Sequence, residues 1–152
     1  MTSVECFLKK NCRICNSSSL EKVVQLTPSP PGNNFLQEEQ ISNLSEEEFP
    51  LELHFCNSCY HIQLGHVVDP SFIFQNGYSY VSSTSTVFVN HLKEYSDHVE
   101  MMLQMKKSSF VVDIGSNDGT CLKFFRDKGM RVLGVDPATD IAAIATSNGI
   151  ET

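Results

Sequence analysis

Two pairs of cysteines have the residue type and spacing that could bind a metal ion. Each pair is a Cys-x-x-Cys motif, Cys12 with Cys15 and Cys56 with Cys59, and 40 residues separate the two pairs. Such a turn lets both sulfurs point at one position, and two turns facing each other form a tetrahedral Zn²⁺ site. Four thiolates leave no open position for water, so we expect a structural zinc and not a catalytic one.

The cysteines also allow other interpretations. They could form disulfides or be unrelated free thiols, although a reducing compartment disfavours disulfides. His61 or His54 could replace one cysteine as a ligand, because imidazole also binds zinc. Cys6 and Cys121 have no partner in this scheme, and Cys121 falls on a predicted helix, where it suits a small core residue.

A glycine-containing turn is the second feature that could do chemistry. Residues 113–119 read Asp-Ile-Gly-Ser-Asn-Asp-Gly and lie between a predicted strand and a predicted helix. Gly115 and Gly119 would let a ligand approach the backbone closely, beside the free N–H groups of a helix N-terminus. Asp136 follows the next predicted strand, 21 residues after Gly115, where a carboxylate could bind ribose hydroxyls.

The turn favours S-adenosylmethionine over a dinucleotide. The dinucleotide fingerprint G-x-G-x-x-G fails, because Asn117 and Thr120 occupy its second and third glycine positions. Asp113 and Asp118 would also repel a pyrophosphate. S-adenosylmethionine has no phosphate, and its sulfonium and ammonium cations suit acidic surroundings. A tight turn in some other α/β fold is the alternative.

The elements that must position these residues follow from the hydrophobic periodicity. Alternation over residues 51–55 and 62–64 predicts a hairpin with the second cysteine pair at its tip, and residues 66–82 carry the turn signals of a loop. Spacings of three and four predict an amphipathic helix from about Ser83 to Met105, capped by Ser83 or Thr84.

From Ser109 the pattern alternates between strand and helix. It predicts a strand over residues 110–114, a helix over 120–128, a strand over 131–135 and a helix that Pro137 opens. The predicted fold class is therefore α/β, or α+β for the whole chain.

Composition and charge exclude several classes of protein. The chain has 152 residues, of which 41% are hydrophobic and 19% charged, as in globular proteins. The net charge is -7, and no cluster of Lys and Arg offers a nucleic-acid surface. No apolar run approaches the roughly 20 residues of a membrane span, and the first ten residues lack the apolar stretch of a secretory signal. We therefore expect a cytoplasmic protein without nucleic-acid or membrane partners.

Four stretches, in this order, resemble the N-terminal part of the sugar-nucleotide C-methyltransferases, typified by the enzymes that methylate TDP-4-keto-deoxysugars. The stretches are the two cysteine pairs, residues 77–83 followed by His91, residues 112–120, and residues 132–138. The resemblance covers essentially the whole chain. It implies a zinc-binding module over residues 1–65, an active-site-covering loop and linker helix over 66–108, and the first βαβα of a class I methyltransferase Rossmann fold over 109–152.

The resemblance also implies an activity and its site residues. The activity is S-adenosylmethionine-dependent methyl transfer to carbon 3 of a nucleotide-linked 4-keto-deoxysugar, through an enolate. The implied cofactor-binding residues are Asp113, Gly115, Asn117, Gly119 and Asp136. In the segment that resembles the family's active-site cover, the candidate substrate contacts are Tyr78, Tyr80 and Ser82, although an aromatic lid without substrate contact is an equal alternative.

The predicted Rossmann domain is truncated. Two parallel strands cannot complete a doubly wound sheet, and the family's general base, a histidine in an acidic-aromatic motif, is expected downstream of Thr152. We therefore expect a fragment, or a second polypeptide that supplies the rest, and no catalysis by the 152-residue chain alone. The alternative functions are a stand-alone zinc-binding interaction module and an enzyme with a nicotinamide cofactor, which the failed fingerprint disfavours.

Overall fold

The computed structural model describes residues 5–32, 35, 38, 48–75 and 78–152. Gly77, the first residue of one stretch that carries the family resemblance, lies outside the described residues. The chain divides into two compact units, Met1–Gly77 and Tyr78–Thr152. The three-part division over residues 1–65, 66–108 and 109–152 stays a prediction.

The first unit contains two small antiparallel sheets. Its elements, in chain order, are β1 Cys6–Leu8, β2 Leu20–Ser29, β3 Phe49–Cys56, β4 Ile62–Leu64, β5 His66–Val68 and the short helix α1 Pro70–Phe74. Strands β2, β3 and β4 pair in that order, and β1 pairs with β5.

The hairpin predicted around the second cysteine pair is confirmed. β3 and β4 are antiparallel, with Leu53 opposite Leu64 and Phe55 opposite Ile62, and Cys56 is the last residue of β3. The loop predicted over residues 66–82 is wrong in part, because β5 and α1 lie within it. The Asp69-Pro70 signal marks a helix start, since Asp69 Oδ1 accepts from the Ser71 N–H at 2.9 Å and proline occupies the first turn.

The first unit has little apolar core. Among its described residues, the buried hydrophobic side chains are Cys12, Phe49 and Cys56, and two of these three are cysteines. Much of the apolar surface of β2 and β4 is exposed, including Leu26 at 56% and Leu64 at 51%. Burial of apolar area therefore contributes little to this unit, and another interaction must hold the two cysteine-bearing loops together.

The second unit contains a parallel pair of strands and three helices. Its elements, in chain order, are α2 Thr86–Leu103, β6 Phe110–Ile114, α3 Thr120–Asp127, β7 Arg131–Val135 and α4 Thr139–Ser147. β6 and β7 are in register from Phe110 opposite Arg131 to Ile114 opposite Val135. The predicted order strand, helix, strand, helix is confirmed. Pro137 does not open the last helix, which begins at Thr139 with Ala138 as its N-cap, and Asn148 with left-handed Gly149 follows its end.

One face of β6 and β7 forms the core of this unit. Leu122, Ala145 and Ile150 are buried at 1% exposure or less, and Val111 and Val132 pack against them. The opposite face of β6 is open, with Phe110, Val112 and Ile114 exposed among the described residues. Since successive side chains of a strand point to opposite faces, the helices cover one face of the pair.

The helix predicted from Ser83 begins three residues later. Residues Ser82–Thr84 form a single 3₁₀ turn, and the hydroxyl of Ser85 caps α2 by accepting from the Phe88 N–H. The physical reason is the backbone: Ser83 and Thr84 lie inside the 3₁₀ turn, whereas Ser85 has the extended conformation of an N-cap, with φ of -108° and ψ of 112°. Among the described residues, no helix is both long and apolar enough to cross a bilayer.

Lys128, directly after α3, joins that helix to α2. Its ammonium group lies 2.7 Å from Asp97 Oδ1 and 2.9 Å from Glu100 Oε2, and it also donates to Ser96 Oγ. Burial alone would lower the pKa of Lys128, but the hydrogen bonds with the two carboxylates raise it. The hydrogen bond with Lys128 likewise holds the pKa of Asp97 below its usual value.

Lys128→Met should destabilise the second unit at neutral pH by about 1 kcal/mol, the upper end for exposed ion pairs. Because folding raises the pKa of Lys128, this lysine stabilises the folded state fully below its unfolded-state pKa. The stabilisation is lost as pH rises through its folded-state pKa. The lowered Asp97 pKa makes its contribution present above the unfolded value and lost as pH falls through the folded one. The destabilisation should therefore shrink in strong acid and strong base, which urea titrations followed by helical circular dichroism measure.

Lys93→Met is the matched control. Lys93 also pairs with Asp97, at 3.3 Å, but within one helix and with 60% of its side chain exposed. It should change stability less than Lys128→Met does. Equal effects of the two substitutions would contradict the role of Lys128 in joining α2 and α3.

Candidate functional site

The structure brings the four predicted metal ligands together. The sulfurs of Cys12, Cys15, Cys56 and Cys59 all lie within 4.8 Å of one another. The Cys12–Cys59 and Cys15–Cys56 sulfur pairs are each 3.6 Å apart. Cys12 and Cys15 lie in the connection between β1 and β2. Cys56 is the last residue of β3, and Cys59 lies in the turn between β3 and β4.

The two cysteine turns have the same backbone geometry. In the first turn the Asn16 N–H donates to the Cys12 carbonyl at 3.0 Å, and in the second the Tyr60 N–H donates to the Cys56 carbonyl at 2.8 Å. Both donors have left-handed backbones, with φ of 59° at Asn16 and 62° at Tyr60. Asparagine adopts this conformation more readily than most residues, whereas tyrosine seldom does.

The geometry of the cluster fits zinc. A tetrahedron with metal–sulfur distances of about 2.3 Å has sulfur–sulfur edges of about 3.8 Å, close to the separations in this cluster. Hydrogen bonds from the backbone N–H groups of Cys15 and Ile14, opposed by burial, lower the pKa of the Cys12 thiol to about 6. The chain therefore favours a thiolate at this position, which is the form that binds metal.

The surroundings of Cys59 and Cys56 also shift the pKa values of these two thiols. The His61 N–H lowers the pKa of Cys59, but the neighbouring thiols and burial raise it to about 12 overall. Burial raises the pKa of Cys56, but the backbone N–H groups of Cys59 and Ser58 outweigh it and lower the value. A metal ion would draw all four sulfurs into the deprotonated state, with release of protons.

The alternatives for the cysteines can be compared with this geometry. All six cysteines are free thiols in the structure, so it shows no disulfide within the chain. Within the described residues the four-cysteine group is the one cluster with metal-ligand geometry, and it includes neither His54 nor His61. His54 instead lies 3.2 Å from the Glu52 carboxylate. The structure therefore favours four sulfur ligands.

The glycine turn of the second unit joins the end of β6 to α3. Gly115 has φ of 86° and Gly119 has φ of 77°, both in the left-handed region that favours glycine. A Cβ at Gly119 would lie 3.0 Å from Ile150, whereas one at Gly115 would meet nothing within 4 Å. Gly119 is needed for close packing, and Gly115 borders open space.

Asp136 holds this turn against the end of β7. Its Oδ2 accepts from the Asn117 N–H at 2.7 Å, and its Oδ1 accepts from the Ala138 N–H at 2.8 Å. The sequence predicted that Asp136 lies at the turn, and the structure places it there. Each carboxylate oxygen still has a lone pair for a further donor, since a carboxylate offers about four acceptor positions.

The carboxylates beside the turn lack positive partners. Among the described residues, neither Asp113 nor Asp136 forms an ion pair. Burial, together with repulsion from Asp136, raises the pKa of Asp113. Burial and the charge of Asp113 similarly raise the pKa of Cys121 to about 11. The site is thus negatively charged and suits a cation.

The segment with the predicted substrate contacts lies at the same turn. Burial, with the nearby Asp136 and Tyr80, raises the pKa of Tyr78, while Tyr80 is 43% exposed. The Asn117 side chain bonds to the backbone of Tyr80 and Ser82. The sequence does not reveal the bonds of the Asn117 side chain or the bond from the Ser83 N–H to Asp118, because the two segments are about 35 residues apart.

Cys56→Ser should remove the zinc and unfold the first unit, because metal binding supplies the folding free energy that its small core lacks. Metal analysis of the purified chain should give about one zinc per wild-type chain and a large loss in the variant. The amide NMR signals of the first unit should lose their chemical-shift dispersion, while those around Leu122 should stay as in wild type.

Cys6→Ser is the matched control, since Cys6 lies in β1 outside the cluster. It should keep both its zinc and its fold. A Cys56→Ser variant with wild-type zinc content and wild-type signals would show that Cys56 is not a ligand.

Two known proteins or families are similar to this chain, one over the cysteine-bearing region and one over nearly the whole length. Residues 12–74, which include all four clustered cysteines, match the family described as "Putative zinc binding domain". The chain is also similar to the C-methyltransferase NovU of Streptomyces niveus, with 34% identity over 141 residues, which are 93% of this chain and 33% of that protein. The chain therefore spans about a third of the length of this relative. These two similarities support the C-methyltransferase family with an N-terminal zinc-binding domain.

Proposed function

We propose that the chain is part of an S-adenosylmethionine-dependent C-methyltransferase that acts on a nucleotide-linked 4-keto-deoxysugar. The observation that carries the proposal is the pair of carboxylates, Asp113 and Asp136, which lie beside an open glycine turn and form no ion pair with any residue that the structure describes. The similarity to a protein named as a C-methyltransferase supports the same reaction class. The zinc, held by the four cysteines, has a structural role in this proposal.

The second unit is the start of a methyltransferase Rossmann domain in this proposal. Its parallel strands β6 and β7 are joined through α3, and α4 follows β7, which is the order of a doubly wound fold. In such folds, ligands bind beyond the carboxyl ends of the strands. The turn and Asp136 lie at these ends of β6 and β7, respectively.

The residues at the turn fit the chemistry of this cofactor. The ribose diol would donate hydrogen bonds to Asp136, and the open space at Gly115 would admit a ligand close to the backbone. The cationic groups would be attracted to Asp113 and Asp136, whereas a pyrophosphate would be repelled. When bound, the cofactor supplies an electrophilic methyl group.

The acceptor chemistry requires a carbon nucleophile. A keto group at carbon 4 of the sugar acidifies the C–H bond at carbon 3, so a general base can remove that proton and leave an enolate. Tyr78, Tyr80 and Ser82 are the proposed substrate contacts. Burial and the charge of Asp136 raise the pKa of Tyr78, so this phenol lies near one of the proposed cofactor residues.

Asp113→Asn tests the role of charge at the turn. The affinity for S-adenosylmethionine should fall about tenfold, which is about 1.4 kcal/mol, because one attractive charge is lost. The affinity for adenosine, which has neither cationic group, should change less than about twofold. Isothermal titration calorimetry on the purified chain measures both.

The variant should not lose stability at neutral pH. The raised pKa of Asp113 means that its ionised form is unfavourable in the folded state, and that this cost is relieved as pH falls through the raised value. Asp127→Asn, an equal charge change at the end of α3, is the control and should leave both affinities unchanged. Equal losses for both ligands, or none, would contradict the proposed attraction.

Ligand analogues test Asp136 without a substitution. Wild-type chain should bind adenosine at least tenfold more tightly than 2′,3′-dideoxyadenosine, because a single lost hydrogen bond to a carboxylate already costs about 1.5 kcal/mol. Competition NMR on the purified chain measures the ratio. Equal affinities would show that Asp136 does not bind the ribose, and absence of any adenosyl binding would favour a zinc-binding interaction module.

A further inference from the structure

Asn117 connects three separate parts of the second unit. Its side-chain Oδ1 accepts from the Ser82 N–H at 2.8 Å, and its Nδ2 donates to the Tyr80 carbonyl at 3.0 Å. Its main-chain N–H donates to Asp136 Oδ2 at 2.7 Å. One residue therefore contacts the segment that carries Tyr80 and Ser82, and also the carboxylate at the end of β7.

The two side-chain bonds hold a short piece of extended backbone. Val81, between the two bonded residues, has φ of -125° and ψ of 121°. A carbonyl and an N–H two residues apart on one strand point to the same side, where a neighbouring strand would pair with them. The amide of Asn117 takes the place of that neighbouring strand.

The environment of Asn117 makes these bonds specific. The residue is 8% exposed and has φ of 51°, a conformation that asparagine tolerates better than most residues. Asp118, 6% exposed, reinforces the contact because its Oδ2 accepts from the Ser83 N–H. Buried polar groups are costly when unpaired, so the aligned segment is favoured over a detached one.

We propose that Asn117 is a positioning residue that couples the nucleoside carboxylate Asp136 to the substrate segment around Tyr78 and Ser82. The inference rests on the proposed function, because it assigns Asp136 to the cofactor and the segment to the sugar substrate. A ligand that orders Asp136 also orders the Asn117 backbone, and the Asn117 side chain passes that order to the segment. Binding of an adenosyl ligand therefore stabilises the substrate segment.

Asn117→Gly tests this coupling without disturbing the backbone, because glycine accepts a positive φ. The amide of Ser82 should exchange with solvent about tenfold faster or more in the variant, since its acceptor is removed. Exchange at Leu122, in the buried core of this unit, should remain as in wild type. Hydrogen-exchange NMR of the labelled full chain reports both amides.

Two further variants separate positioning from general stability. Asn117→Asp keeps an oxygen that can accept from the Ser82 N–H, but it replaces the amide that donates to the Tyr80 carbonyl with a second oxygen that repels this carbonyl. It should restore only part of the protection at Ser82. Gln104→Gly changes another left-handed residue, at the end of α2, where the backbone N–H makes the capping bonds. It should leave exchange at Ser82 unchanged.

Adenosine is the probe for the coupling itself. At saturating adenosine, exchange at Ser82 should slow by severalfold in wild type. It should not change in Asn117→Gly when the two proteins are compared at equal adenosine occupancy, which a titration of each protein sets. Unchanged Ser82 exchange in ligand-free Asn117→Gly, or an equal response to adenosine in both proteins, would overturn the inference. If wild type binds no adenosyl ligand, the proposed function fails, and the exchange comparison without ligand still decides whether Asn117 holds the segment.

Discussion

The second unit depends on the hydrogen bonds of one carboxylate at the end of a strand. Asp136 accepts from the Asn117 N–H in the turn after β6 and from the Ala138 N–H before α4, so it joins the ends of both parallel strands. The glycines allow the turn to follow this path, and the buried Leu122, Ala145 and Ile150 hold the helices on one face. The same carboxylate faces repulsion from Asp113, and that unfavourable charge is what makes the turn suited to a cationic ligand.

The two units solve the problem of stability by different means. The second has a compact group of buried aliphatic side chains around β6 and β7. The first has a long ladder between β2 and β3, in which the side chains of β2 are largely exposed and those of β3 are mostly half-buried. A small module with so little buried apolar area needs a further stabilising interaction, and the four sulfurs within 4.8 Å of one another provide the place for a metal ion.

Local sequence patterns predicted most elements and the cysteine cluster. The spacing of Cys12, Cys15, Cys56 and Cys59 is sufficient because a Cys-x-x-Cys turn has its own fixed geometry. Periodicity located β6, α3, β7 and α4 because each is long enough to show its period. It missed β1, β5 and α1, which have five residues or fewer, and it missed β2, whose two register shifts interrupt the alternation. It misplaced the start of α2 because Ser83, Thr84 and Ser85 are all capping residue types, and only the backbone shows that Ser85 is the cap. The role of the Asn117 amide was unpredictable because its hydrogen bonds join residues far apart in the chain.

The thin core of the first unit has a consequence for its divergence among relatives. When four sulfur ligands carry most of the stabilisation, exposed positions along β2 such as Val23 and Leu26 are under weak constraint. Such a module can exchange most of its surface over evolutionary time and still fold, provided that the four cysteines and the two left-handed positions, Asn16 and Tyr60, keep their geometry. Distant versions of this module should therefore share little beyond a pattern of spacings.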